Sequence, residues 1–156
     1  IGHLQTNKVK YIIDKVCMIH SVDSFKLAAE IDKRAAQHGI TMDILVEVNA
    51  AEDNAKFGVT TSETAALVMQ IAENCENIRI KGLMTIAPFV EDPEEVRPYF
   101  RAMKELYDAL SLTEHPRVDF EYLSMGMSGD RIVAVEEGST IIRVGTAIFG
   151  ARNYAV

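Results

Sequence analysis

Apolar runs and amphipathic stretches take turns along this chain. Residues 16–22 form the first apolar run and predict a strand. Residues 24–38 then carry Leu27, Ile31 and Ala35 on one helical stripe, and Gly39 supplies the stop. Across residues 43–49, Ile44, Val46 and Val48 alternate with Asp43, Leu45, Glu47 and Asn49, the period of a strand. Thr60 and Glu63 have the spacing of a capping box. The helix they open turns Leu67, Val68 and Ile71 inward and ends near Asn74. Residues 78–87 predict strand again. Asp92 and Pro93 start a long helix with Val96, Phe100, Met103, Tyr107 and Leu110 on one face. Pro98 falls inside it, which predicts either an irregular first turn or a later start. Residues 120–124 predict a strand, 130–137 a short helix, and 140–148 the last strand.

Strict βα alternation calls for an α/β fold, with parallel strands joined by right-handed crossovers. The strands are apolar on both faces, as in a sheet covered by helices. The pattern predicts a single domain over residues 1–156, with five full strands and an opening stub at residues 1–2. Two architectures fit. One is a parallel (β/α) barrel of the TIM type, here incomplete; the other is a five-stranded doubly wound sheet. The lack of an early Gly-rich dinucleotide fingerprint counts against the nucleotide-binding form of the second. In an incomplete barrel the strands at 16–22 and 140–148 have free edges. Such edges predict self-association, or instability of the lone chain.

Composition narrows the function. Hydrophobic residues make up 48% and charged residues 25%, ordinary values for a globular chain. The net charge is -7 and the basic residues form no run, which disfavours nucleic acid as a partner. Cys17 and Cys75 have no metal or redox spacing and predict reduced thiols in a cytoplasmic protein. No bilayer-spanning apolar stretch and no signal peptide are visible. His3, His20, His38 and His115 show no metal-ligand spacing, so no metal site is expected. His20 predicts a structural histidine at a strand end near the pocket, and His38 a helix-end residue beside Gly39.

Two late segments carry chemistry. MGMSGD at residues 125–130 and RVGTAIFG at 143–150 each follow an apolar run with small residues and hydroxyls. Glycine lets backbone N–H groups approach an anion, and Ser or Thr adds a donor, so the pair predicts a phosphate cradle. The plainer alternative is two tight turns. Barrels often bind phosphate at the loops after their last two strands, which suits the first account. Arg143 lies just below the second turn; its alternative is a salt bridge to Glu47 or another barrel carboxylate. Glu47 and Asn49 predict a polar layer that holds loops in place.

These residues are similar to a known family. IGHLQTNK at 1–8, IHSVDS at 19–24, EVN at 47–49 with KFGV at 56–59, GLMTIAP at 82–88, LSMGMSGD at 123–130 and IRVGTAIFGAR at 142–152 run end to end in family order. They resemble the pyridoxal-phosphate homeostasis proteins, also called proline synthase co-transcribed proteins, which look like the N-terminal barrel of alanine racemase standing alone. The resemblance implies pyridoxal 5'-phosphate as cofactor. It implies that Ser128, Gly145 and Thr146 hold the phosphate, that Arg143 faces the pyridine nitrogen, and that Met84 and Ser124 line the pocket. The family's Schiff-base lysine closes the first barrel strand, whereas IGHLQTNK ends the third. The resemblance therefore places that lysine upstream of Ile1 and the chain's start two βα units into the barrel. Lys56 is the secondary candidate for attachment; Lys8 is a weaker one.

The function implied is cytoplasmic storage and delivery of the cofactor, with little or no turnover. Recipient pyridoxal-phosphate-dependent apoenzymes are the expected partners, and neither nucleic acid nor membrane is expected. The rival is a racemase-like enzyme, limited by the lack of the tyrosine that a second racemase domain supplies. Two further rivals are a barrel enzyme for a sugar phosphate and a fragment that takes only phosphate or sulfate.

Overall fold

The computed structural model describes residues 1–53 and 55–150. Strands β1 (Met18–Val22), β2 (Met42–Glu47), β3 (Ile78–Met84), β4 (Val118–Met127) and β5 (Ile141–Arg143) are all parallel. They are hydrogen-bonded in chain order. Helices α1 (Phe25–His38), α2 (Thr61–Asn74), α3 (Arg97–Ser111) and α4 (Arg131–Glu136) connect successive strands, and α5 (Thr146–Phe149) follows β5. This order decides between the two architectures. A doubly wound sheet reverses its strand order at a switch point. Here each new strand joins on the same side, the way a (β/α) barrel grows. The described residues form an open half-barrel with β1 and β5 at its edges.

Local chemistry explains the helices. Ser24 Oγ accepts the Leu27 N–H at the start of α1, and Gly39, at φ +63°, returns its N–H to Ala35 and Ala36 at the end. Thr60 and Glu63 form both halves of the capping box before α2. The expected long helix divides in two. Pro93–Val96 is a 3₁₀ turn capped by Asp92, and α3 begins only at Arg97. Pro98 thus falls in the first turn, where its missing N–H has no helical partner to lose.

Five expectations need correction. The stub at residues 1–2 joins no ladder. Residues 1–5 are irregular and lead into a 3₁₀ helix at Thr6–Tyr11, anchored by the fully buried Val9 and nearby Ile13. The strand expected at 120–124 runs from Val118 to Met127, because pairing of Met127 with Arg143 carries the ladder onward. The last strand, expected over 140–148, stops at Arg143. Beyond it the N–H groups of Ile148 and Phe149 turn back to the Gly145 carbonyl at 3.0 and 2.9 Å, which makes a helical turn. The strands expected at 16–22 and 78–87 are likewise shorter, at Met18–Val22 and Ile78–Met84.

The main core lies between sheet and helices. Ile44, Val46 and Val48 of β2 and its extension meet Ile31, Val68, Ile71, Phe100 and Met103 there. The opposite, inner face of the sheet turns polar toward the C-terminal strand ends. That is where Glu47, Ser124 and Arg143 are buried.

Candidate functional site

β4 and β5 each end in a turn of small residues, and the two turns touch. Ser128 Oγ, after β4, accepts the backbone N–H of Gly145 at 3.1 Å and of Ala147 at 3.2 Å. These N–H groups belong to the opening turn of α5, where helix geometry leaves donors unpaired and partly positive. The space a side chain would occupy at Gly145 is open to 4 Å. Asp130 Oδ1 accepts the Met127 N–H at 2.5 Å, and Arg131 Nη1 donates to the Ser128 carbonyl, which hold the first turn in shape.

A cleft of about 830 Å³ opens over these turns, lined by residues 86–91, 127–130 and 145–150 in part. Its size suits a small molecule. Ser128, Gly145 and Thr146 line it. Arg143, Ser124 and Met84 are buried and are not part of its lining. Lys56 is half-buried in the loop after β2 and is not in the lining either. Ala151 and Arg152 of the last motif lie outside the described residues.

Arg143 organises the buried layer. Its Nη1 donates to Ser124 Oγ and its Nη2 to the Thr85 carbonyl, both at 2.7 Å. Ser124 Oγ is also hydrogen-bonded to His20 Nδ1 at 3.2 Å, and which of the two donates depends on the histidine's tautomer. Burial first, then nearby positive charge, pulls the His20 pKa down to about 4, so the ring is neutral at pH 7. Burial also lowers Arg143 from its ordinary value, opposed by Asp130 and Glu47. A guanidinium stays charged through such a shift. Thr85 Oγ1 donates to the Val48 carbonyl at 2.7 Å and ties β3 to the end of β2.

The salt bridge offered for Arg143 is not formed among the described residues. Both terminal nitrogens are engaged elsewhere, while Arg143 Nε and Glu47 Oε2 are buried without partners. Asn49 does hold a loop: its amide donates to the Asp53 carbonyl at 2.8 Å and its Oδ1 accepts the Asp53 N–H at 3.2 Å. Glu47 holds none with that oxygen. Burial, and then the charge of Asp23, push its pKa up to about 7.

The sequence missed two contributors, whereas His20, expected as a structural histidine at a strand end near the pocket, is hydrogen-bonded to Ser124 there. Thr85 acts through its carbonyl and Ala147 through its N–H, and main-chain groups leave no mark in the side-chain pattern.

The family model described as alanine racemase, N-terminal domain, matches residues 1–153. The chain belongs to that family. A curated relative, the pyridoxal phosphate homeostasis protein of Aquifex aeolicus, is 49% identical over 154 residues, which cover 99% of this chain. This chain spans 66% of that relative's length, just under two thirds. Among solved structures, a protein of unknown function from Bifidobacterium adolescentis superposes with a TM-score of 0.90 at 39% identity, over 96% of this chain and 59% of the other. PipY of Synechococcus elongatus, solved with pyridoxal phosphate (PLP) bound, superposes with a TM-score of 0.83 at 33% identity, over 96% of this chain and 68% of the other. Family membership and the parallel strand order agree on a barrel-type fold. No helix among the described residues is long and apolar enough to cross a membrane.

Proposed function

We propose that this protein binds pyridoxal 5'-phosphate and serves its intracellular homeostasis, storing and delivering the cofactor with little or no turnover. Support comes from the relatives' names, from the PipY structure with pyridoxal phosphate bound, and from the site's own chemistry. One observation carries the proposal. Two N–H groups and a hydroxyl converge where β4 and β5 end, and a buried, unpaired Arg143 Nε lies on the strand that leads into them.

The residues present fit the group. Ser128, Gly145 and Thr146, joined by the Ala147 N–H, would hold the phosphate. Arg143 Nε is a donor lacking an acceptor, and a pyridine nitrogen is an acceptor. Ser124 holds the guanidinium in position, and Met84 supplies apolar wall beside it. When bound, the cofactor supplies an electron sink. Arg143 has no acceptor lone pair and keeps its protons, so it leaves the ring nitrogen unprotonated and that sink weak. A weak sink suits a carrier better than a catalyst.

The attachment lysine of the whole protein is assigned to the first barrel strand, outside residues 1–156, with the first two βα units. Lys56 is a secondary attachment point, and β1 and β5 are edges for self-association. The recipients are cytoplasmic apoenzymes that use the same cofactor. Borohydride trapping followed by peptide mapping tests Lys56; a label found elsewhere removes it.

Paired titrations test the proposal. Pyridoxal phosphate and inorganic phosphate are each titrated into wild type, Ser128→Ala and Arg143→Ala. Loss of Ser128 is expected to weaken both ligands about tenfold or more, the value of a hydrogen bond to a charged group. Loss of Arg143 is expected to weaken pyridoxal phosphate and spare inorganic phosphate. Wild type that binds phosphate but not pyridoxal phosphate sinks the proposal.

A further inference from the structure

Glu47 has no task in the function proposed above. It closes β2 on the inner face of the half-barrel and is only 5% exposed. Its backbone carbonyl accepts the Val59 N–H at 3.0 Å, which fixes the main chain at this point. Its Oε2 is nonetheless buried without a partner. Protein interiors rarely leave such an atom unmatched, and a ligand group is one standing reason.

The second orphan is on the same layer. Glu47 is in register with Met84, and Met84 with Ser124. Ser124 in turn receives Arg143 Nη1 at 2.7 Å. Arg143 itself is in register with Met127, so its guanidinium reaches back to Ser124, and that hydrogen bond links the unpaired Nε to the row that holds the unpaired carboxyl oxygen. The two unpaired atoms do not satisfy each other.

We propose that Glu47 is a further ligand-facing residue of this site, presenting a neutral carboxyl that donates its proton in a hydrogen bond to a ring oxygen of bound pyridoxal phosphate. This rests on the cofactor assignment above. With the phosphate at Ser128 and the ring nitrogen at Arg143, the phenolic and aldehyde oxygens are the polar groups left to match. A neutral carboxyl has one donor to give them. A carboxylate has none and repels an anionic phenolate.

Burial above all raises the Glu47 pKa to about 7, so the neutral form is well populated at neutral pH and dominant below it. Asp23, just past β1, disfavours the charge on Glu47; His3 and Arg143 favour it. His20, on the neighbouring strand, is neutral. Burial outweighs the favourable charges.

The test compares wild type with Glu47→Gln, which keeps the shape and one N–H donor but does not titrate. Pyridoxal phosphate and, separately, inorganic phosphate are titrated into each protein from about pH 6 to pH 8.5. Wild-type affinity for pyridoxal phosphate is expected to fall about tenfold more than that of Glu47→Gln over this range, as one proton is lost from the site. Inorganic phosphate, held only at the cradle, is expected to follow the same profile in both. Calorimetry of wild type in buffers of different ionisation heat gives a second readout, needing no variant: binding near pH 8 takes up a proton.

Identical pyridoxal phosphate profiles in the two proteins, with wild type binding normally, overturn the Glu47 role alone. Proton-neutral binding near pH 8 does the same. Failure of wild type to bind pyridoxal phosphate at any pH, with phosphate still bound, overturns the cofactor assignment and this role with it.

Discussion

At the scale of single residues, the buried layer is a chain of dependencies. Arg143 donates to Ser124, and Ser124 Oγ is in turn hydrogen-bonded to His20 Nδ1. Ser124→Ala leaves Arg143 Nη1 and His20 Nδ1 without partners. It is expected to lower stability by about 1–3 kcal/mol in urea unfolding. The two shifted groups act on stability in opposite senses. Glu47 is raised from 4.5 to about 7, so the stability tied to its proton is full below about pH 4.5 and lost as pH rises through 7. His20 is lowered from 6.5 to about 4, so its contribution is full above about pH 6.5 and lost as pH falls through 4. In wild type the slopes offset each other between about pH 4.5 and 6.5. Glu47→Gln is expected to unmask stability that rises with pH there, and His20→Asn stability that falls. Each slope is bounded at about 1.4 kcal/mol per pH unit and is reduced by solvent screening. Parallel curves for the two variants would contradict the assigned shifts.

At the scale of elements, the strands hold the site because they approach one another closely. Gly82 in β3, at φ +142°, leaves no room for a side chain. A Cβ there would stand 1.8 Å from the Tyr122 carbonyl oxygen of β4. The β3–β4 register shifts at this point, between Ile80 and Gly82. Gly82→Ala meets backbone rather than a flexible side chain, and in a backbone conformation that L residues avoid. It is expected to cost about 3 kcal/mol or more, or to prevent folding, as read by circular dichroism and urea titration. The helices obey local rules instead. Ser24, Gly39, Thr60 and Asp92 mark boundaries in both sequence and structure, because a cap is a contact over three or four residues. The last strand did not obey them. Residues 144–149 are apolar and small enough for a strand, but with β5 ended at Arg143 they hydrogen-bond among themselves. That helical turn directs the Gly145 and Ala147 N–H groups at Ser128.

At the scale of the whole molecule, five parallel strands in sequential order leave β1 and β5 as edges of the described sheet. Unpaired edges are templates for another chain. This 156-residue chain is expected to self-associate, with a mean mass that rises with concentration in light scattering after gel filtration. A monomer that stays monodisperse and unfolds cooperatively across that range contradicts this. The net charge of -7 opposes the association at low salt, so added salt is expected to promote it.

Period and caps determined most of the secondary structure, since alternation, helical stripes and capping residues are short-range quantities that one chain displays by itself. The small-residue turns at 125–130 and 143–150 were also legible, because glycine beside hydroxyls has few other uses. Tertiary structure alone decided the order of strands, the contact between those two turns, and the fate of Glu47. Whether a carboxyl is solvated, ion-paired or sealed without a partner depends on residues far away in sequence. The seal at Glu47 is completed by strands and loops whose positions no local pattern encodes.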